Sequence, residues 1–406
     1  MISAAPLMIS LLLTAEPGTP LQLQPFLDEV SRQAPRVRAQ QANVETAQAA
    51  VGVAGSAQDP LLGLMVEGFG RTTGQMLTYR FTQPLDFVWR RGPEKSVARA
   101  KVAQSQARGA RTVWDARAEA ARAFYELWRS HEQDQVLARQ LTVLEGMRIS
   151  AQARYETGSR TAHHAMLRAE AEIAMIRAER AALEAERLAM AAMINALRNQ
   201  PQGDPVGRPE LPPRTPLPSL ESLVSRTGKV PEVSSAQAMR TEAEARGSLA
   251  RSMYLPMPMA GVFFQHEPQM NTGAFGGEVG FSIPLWSFDR QANEVAMAGA
   301  MQRAAQREVE AMSVMAEAQL RAAWSRAVAA DVALNALEKS ALPRLRQTVE
   351  SAEAEYRSGG EGFLELLEAV LALQRLEGDL ATKLADRGLA WLELERILGG
   401  PLLDQG

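Results

Sequence analysis

The chain has 406 residues, of which 46% are hydrophobic and 22% charged, enough for two or three ordinary domains or for one elongated architecture. The formal net charge is −3 and the basic residues alternate with acidic ones, which argues against a nucleic-acid-binding protein. Cysteine is absent, so the sequence excludes disulfides and thiolate metal sites.

The first residues form an apolar run that ends in the small residue Ala15. Such a run is typical of the central region of a secretory signal peptide, although the first basic residue, Arg32, comes only after it. We therefore expect residues 1–18 to be a possible signal peptide. The sequence contains no run of about 20 apolar residues, the length that a membrane-spanning helix requires.

A first structural repeat is predicted over residues 19–200. Its start is helical from Leu23 to about Ser56, with an interruption at Pro35. A β-hairpin follows over residues 61–85, because apolar and polar side chains alternate strictly in its second strand: Leu77, Tyr79 and Phe81 against Thr78, Arg80 and Thr82. Strands of about ten residues have the length that crosses a bilayer when tilted.

The repeat continues as a helical hairpin over residues 93–199. A helical pattern opens at Gly92-Pro93 and runs to about Ser150, which predicts a rod of about 90 Å. The bend is Tyr155-Glu156-Thr157-Gly158, where glycine leaves the helix through a left-handed conformation at little cost. Apolar residues seven apart then predict a coiled-coil seam on the returning helix: Ala169, Ile176, Leu183, Met190 and Leu197, with Met166, Ile173 and Ile194 on the adjacent line.

A Pro-rich linker at residues 201–218 leads to a second repeat at 219–400, which has the same plan. After a helix come a β-hairpin at 257–285 and a helical hairpin at 290–398, with a break expected near Pro343. The segment 281–285 echoes 81–85, and Tyr356-Arg357-Ser358-Gly359 echoes the first bend, at a spacing of about 200 residues. The pattern indicates a tandem duplication of one large unit.

The predicted fold class is therefore mainly α with a small β part: duplicated long coiled-coil helical hairpins plus two β-hairpins per chain. Four strands cannot close a transmembrane barrel, since the smallest have about eight. An open sheet in lipid leaves backbone groups unsatisfied at several kcal/mol each. We expect several copies to share one barrel, and two copies give eight strands while three give twelve.

The order of these features, repeated twice, resembles a TolC-like outer-membrane efflux factor from about Leu21 to Leu398. The resemblance implies a homotrimer with a trimeric α-barrel in the periplasm and a shared 12-stranded transmembrane β-barrel in the outer-membrane lipid of a Gram-negative bacterium. It also implies a passive exit duct of a tripartite efflux pump or a type I secretion system, not an enzyme. Its partners would be a periplasmic adaptor protein and an inner-membrane transporter.

The resemblance places a periplasmic gate at the two bends. Tyr155, Arg160 and Tyr356 fall on the positions of the family's gate network, and Gly158 and Gly359 form the bends. The acidic position six residues after the glycine is Glu365 in the second repeat but His164 in the first, a departure from the family's network. Glu365 and Glu368 are interpreted either as an acidic ring that favours cations or as ordinary solvated charges.

The aromatic residues after each second strand, Phe87 and Trp89 in the first repeat and Trp286 and Phe288 in the second, are expected at the membrane interface. No resident metal or other cofactor is predicted. His163 and His164 point about 100° apart on a helix, so a polar surface pair is favoured over a metal site. The methionines at 253, 257, 259 and 270 suit Cu(I) chemically, but packing is the favoured interpretation.

A soluble periplasmic coiled-coil adaptor or scaffold protein is the alternative. Such a protein is expected to carry one long helical hairpin beside compact β-domains, whereas this sequence predicts two hairpins and only four amphipathic strands. The sequence does not identify the exported substrate, because in such a pump the inner-membrane partner selects it. Metal ions, organic toxins and secreted protein all stay open.

Overall fold

The computed structural model describes residues 20–68, 74–85, 87–158, 160–285, 287–357 and 362–402. The helices in these ranges are α1 (Leu23–Gln33), α2 (Pro35–Val53), α3 (Phe87–Glu156), α4 (Arg160–Leu197), α5 (Leu220–Val224), α6 (Pro231–Ser252), α7 (Arg290–Ala336), α8 (Leu342–Arg357) and α9 (Phe363–Leu398). The strands are β1 (Leu21–Gln22), β2 (Leu61–Glu67), β3 (Met76–Pro84), β4 (Pro209–Glu210), β5 (Met257–Glu267) and β6 (Thr272–Ser282). The prediction of a mainly α fold with a small β part is confirmed. Among the described helices, none combines the length and the hydropathy that crossing a membrane requires.

The longest element is α3, whose 70 residues extend about 105 Å. It begins at Phe87 instead of at the predicted Gly92-Pro93, so Pro93 lies inside the helix. Proline lacks a backbone N–H and is best tolerated near a helix start, which is where Pro93 lies. The aromatic residues expected after the second strand, Phe87 and Trp89, therefore lie in the first turn of the helix.

Helices α3 and α4 pack as the predicted coiled coil. The heptad residues Ala169, Ile176 and Leu183 are buried. The seam is flanked by ion pairs, in which Asp134 of α3 accepts a hydrogen bond of 2.7 Å from Arg180 and lies 3.4 Å from Arg187, both on α4. The hydrogen bond from Arg180 lowers the pKa of the Asp134 carboxyl, which keeps this inter-helix contact ionised.

The expected break near Pro343 is a π-helical turn at residues 337–341 that joins α7 to α8. The ring of Pro343 would clash with the carbonyl of Lys339, four residues earlier, if the α-helix continued unchanged. Widening the preceding turn relieves this clash. The helix thus continues past the proline, and the chain runs on to the second bend.

The two β-hairpins form one antiparallel sheet of four strands in the order β2-β3-β5-β6. Strand β3 pairs with β5, with Tyr79 opposite Phe264, so the two halves of the chain join in the middle of the sheet. The register places apolar residues on one face: Leu62, Leu64, Val66, Leu77, Tyr79, Phe81, Val262, Phe264, Phe275, Val279 and Phe281. The opposite face carries the polar residues Thr78, Arg80, Thr82, Gln265 and Glu278 together with the apolar residues Leu61, Met65, Met257, Met259 and Phe263.

The two faces differ in exposure. On the apolar face Leu62 is 83% exposed and Phe275 is 87% exposed. On the opposite face Thr78 is only 4% exposed and Thr82 only 9%, although Leu61 on the outer strand β2 is 64% exposed. Side chains therefore crowd together over the inner strand β3 on this side, which we call the concave side, and we call the apolar side convex.

The helices are held together where α9 crosses α3. Tyr125 of α3 is 4% exposed in a core formed with Phe124, Trp128 and residues of α1, and burial raises its pKa to about 12. Gly388 of α9 lies directly against the tyrosine, because a Cβ atom at this position would come within 2.1 Å of Tyr125 Cζ. The absence of a side chain at Gly388 therefore sets the close approach of these two helices.

We predict that Gly388→Ala destabilises the protein by about 1–3 kcal/mol, since the new methyl group forces the buried ring of Tyr125 to move. Gly378→Ala on the same helix is the matched control. No atom lies within 4 Å of a Cβ at Gly378, so alanine there should be neutral or stabilise by up to about 1 kcal/mol through helix propensity. Thermal unfolding of the purified protein, followed by circular dichroism, measures both. Equal melting temperatures for the two variants would contradict the packing argument.

Candidate functional site

The two helix bends meet through a contact between Arg154 and Tyr356, here called the Arg154–Tyr356 clasp. Arg154 is near the end of α3 and donates a hydrogen bond of 2.6 Å from Nη2 to the backbone carbonyl of Tyr356, near the end of α8. Its guanidinium carbon also lies 4.5 Å from the centroid of the Tyr356 ring, within the range of a cation–π interaction. The clasp ties the bend of the first half to that of the second.

Tyr356 is the buried member of the two bend tyrosines. It is 6% exposed and belongs to a core with Leu366 and Leu367 of α9. Its ring meets Phe363 edge to face, with 6.0 Å between the ring centroids. The apolar surroundings reduce the screening of the positive charge that Arg154 places over the ring, which strengthens the attraction.

Tyr155, the corresponding residue of the first bend, has a different environment. It is 45% exposed, and its ring centroid lies 4.8 Å from that of His163 at the start of α4. Nδ1 of His163 is buried without a hydrogen-bond partner among the described residues. The ring centroids of His163 and His164 are 6.3 Å apart. The described residues contain no group of three or more potential ligands that could hold a metal ion.

The other predicted gate residues are only partly placed. Gly158 has a φ of +102°, the left-handed conformation that the bend requires. Arg160 begins α4, but its side chain lies outside the described residues, as does the whole of Gly359. Glu365 and Glu368 are exposed on α9, opposite the side buried by Leu366 and Leu367.

Sequence analysis missed Arg154, which makes the contact with Tyr356 at the bends. Periodicity cannot reveal a contact between residues that are 202 positions apart. One signal was present in the duplication. When Tyr155 is aligned with Tyr356, Arg154 corresponds to Glu355, so the two repeats carry opposite charges at this position.

The residues expected at the membrane interface lie near the end of the sheet from which α3 and α7 extend. Trp89 lies in the first turns of α3 and donates a hydrogen bond of 2.8 Å from Nε1 to the carbonyl of Pro256, just before β5. Phe288 is exposed in the turn before α7. The side chain of Phe87 and the whole of Trp286 lie outside the described residues. Trp89 thus connects a helix of the first half to the residue that precedes β5 in the second half.

The fold of the chain is that of bacterial outer-membrane channels. The outer membrane protein VceC of Vibrio cholerae matches with a TM-score of 0.77 and 18% sequence identity, over 94% of this chain and 97% of that chain. The MtrE outer membrane channel of Neisseria gonorrhoeae matches with a TM-score of 0.77 and 18% identity, over 94% of this chain and 89% of that chain. The CmeC outer membrane channel of Campylobacter jejuni matches with a TM-score of 0.76 and 12% identity, over 95% of this chain and 87% of that chain.

The sequence itself points to one family. Residues 228–400 match the family model described as outer membrane efflux protein, so the second half of the chain carries a domain of this family. A comparison with curated proteins gave no match. The family match and the shared fold together confirm the resemblance to TolC-like outer-membrane efflux factors.

We predict that Arg154→Gln loosens the end of α3, because it removes the cation–π contact and weakens the hydrogen bond to the Tyr356 carbonyl. Backbone amides near residues 150–156 should then exchange hydrogen at least about tenfold faster, which corresponds to roughly 1.4 kcal/mol. Arg148→Gln is the control, since Arg148 donates its hydrogen bond to Gln152 of its own helix. Hydrogen exchange with mass spectrometry measures both variants, and equal protection in the two would contradict the clasp.

Proposed function

We propose that this protein is the outer-membrane exit channel of a tripartite efflux pump, a passive duct that carries drugs or metal ions from the periplasm to the exterior. The observation that carries the proposal is the four-stranded sheet. Its convex face is apolar and exposed, its concave face carries the charged residues Arg80 and Glu278, and helices more than about 60 Å long extend from one end of it. A sheet with lipid outside and water inside requires this division of faces.

The sheet edges support assembly with further copies of the chain. Strands β2 and β6 are the outer strands, and each has one side without a partner in the four-stranded sheet. In hydrocarbon every unpaired backbone group costs several kcal/mol, so these edges have to pair with neighbouring chains. Three copies supply about twelve strands, enough for a barrel with an open lumen, and the homotrimer is the assembly that we propose.

The helices support the same assembly. Large apolar residues are exposed on helices far from the sheet, including Leu188 on α4 and Val314 and Val332 on α7. Exposed apolar residues along the length of helices are typical of surfaces that other chains cover. In the trimer we propose that these surfaces pack against adjacent copies and close a periplasmic α-barrel. Its far end docks a periplasmic adaptor protein, which connects the duct to an inner-membrane transporter.

The sheet also argues against a soluble periplasmic adaptor or scaffold. A water-soluble protein buries a face that carries Leu62, Phe275 and Phe281, whereas here these side chains are exposed. In the proposed duct the protein performs no chemistry. Its bends provide the gate, with the Arg154–Tyr356 clasp holding the two halves of each chain together, Tyr155, Arg160 and Tyr356 in the network, and Glu365 and Glu368 near the aperture.

We predict that the protein fractionates with the outer membrane as a heat-resistant trimer and forms channels in planar bilayers. Val279→Asp places a charge on the lipid-facing side of β6 in each copy and should abolish the trimer band, because charges there cost up to a few kcal/mol each. Ser282→Asp on the same strand is the control, since Ser282 lies on the polar face and is exposed. A soluble monomer in the periplasmic fraction would overturn the proposal.

The substrate class is tested by deleting the gene and challenging the cells with copper, silver, zinc, cobalt and hydrophobic antibiotics. If the duct exports drugs, the deletion cells should become sensitive to the antibiotics. If it exports metals, they should become sensitive to the metal cations. Loss of resistance should be restored by the wild-type gene and by Ser282→Asp, but not by Val279→Asp. Unchanged growth under every challenge, with the trimer present in wild-type cells, would contradict a role in efflux.

We further predict that Tyr356→Ala increases single-channel conductance, because it removes the ring on which Arg154 lies and frees the second bend to move outward. Arg154→Gln should act in the same direction, and the double variant should add little to either, since both changes remove the cation–π contact. Arg148→Gln should conduct as the wild type does. Unchanged conductance in Tyr356→Ala would show that the clasp is not part of the gate.

A further inference from the structure

The concave face of the sheet carries an ion pair that crosses an intervening strand. Glu278 lies on β6 and Arg80 on β3, with β5 between them. Oε2 of Glu278 is 3.5 Å from Nε of Arg80, and Oε1 accepts a hydrogen bond of 2.9 Å from the hydroxyl of Thr82. The carboxylate therefore reaches across the full width of β5.

Gly261 makes this crossing possible. The register places it on β5 between Thr82 and Glu278. A Cβ atom at Gly261 would come within 2.8 Å of Glu278 Oε1 and 2.7 Å of the backbone oxygen of Phe81, so any side chain there would occupy the path of the glutamate. The glycine leaves a gap through which the carboxylate reaches β3.

The pair stays accessible to solvent on the concave side. The Arg80 side chain is 45% exposed and that of Glu278 is 28% exposed, whereas the neighbouring Thr78 and Thr82 are buried. The register places Arg80 two residues from Thr82 along β3, a separation of about 7 Å. In a barrel formed by three copies, three such pairs face the lumen at nearly one level.

We propose that Arg80 and Glu278 determine the charge selectivity of the barrel lumen. This inference rests on the proposed channel function. The three carboxylates alone would form an acidic ring that favours cations, and the three guanidinium groups alone would favour anions. Because each carboxylate is held next to a guanidinium group across Gly261, their opposite charges cancel at short range. This level of the lumen therefore passes solutes of either charge. Arg80 is the residue that prevents Glu278 from imposing cation selectivity.

The test measures reversal potentials in planar bilayers under a KCl gradient. Arg80→Gln should raise the ratio of potassium to chloride permeability by at least about twofold, and Glu278→Gln should lower it by a similar factor. The double variant should return to the wild-type ratio, because it removes both charges. Arg80→Lys is the matched control, since it keeps the positive charge and should stay near the wild-type ratio.

The outcomes separate this inference from the proposed function. If the wild-type protein forms no channels, the channel function fails. If channels form and both single variants keep the wild-type permeability ratio, the selectivity role is overturned while the channel function stands. If only one of the single variants assembles, its permeability ratio decides the question, because each variant has its own expected direction of shift. A heat-resistant trimer band identifies the variants that assemble, and shifts in the same direction for both would also overturn the inference.

Discussion

The unpaired edges of the four-stranded sheet are the constraint on which the rest of this molecule depends. The convex face is apolar and the outer sides of β2 and β6 have no partner in the four-stranded sheet, so lipid can surround it only after other strands pair with both edges. The pairing of β3 with β5 makes the sheet from both halves of the duplicated chain. Each half of the chain thus supplies two strands, and in the proposed assembly copies of the chain complete the barrel.

The helices extend far from the sheet. The sheet lies at one end of α3 and the Arg154–Tyr356 clasp at the other, about 100 Å apart along the helix axis. A rod of this length needs lateral support, which comes from the buried heptad residues of α4 and from ion pairs such as Asp134 with Arg180. Small residues permit close helix contacts, as Gly388 does against Tyr125. Stiff helices of this kind would allow the proposed gate to lie far from the sheet.

The sequence predicted local features well because each had a period. Alternation placed Tyr79 and Phe81 on the exposed apolar face, and heptad spacing identified Ile176 and Leu183 as buried. Contacts between distant segments have no period. The Arg80–Glu278 pair joins residues 198 positions apart, and the clasp joins residues 202 apart, so neither could be predicted from local patterns. The start of α3 was also missed, because Gly92-Pro93 is typical of a helix start although the helix already begins at Phe87.

The two bends share the Tyr-x-x-Gly sequence, but their tyrosines have different surroundings in the structure. Tyr356 is buried under Arg154, whereas Tyr155 is exposed beside His163. Because Arg154 belongs to the first half of the chain and Tyr356 to the second, either hairpin can move away from the other only by breaking the clasp. A trimer would contain three clasps and three exposed tyrosines in alternation. In the proposed gate, opening would then require the loss of contacts within each chain, while the exposed surface around Tyr155 would be open to contacts with other chains.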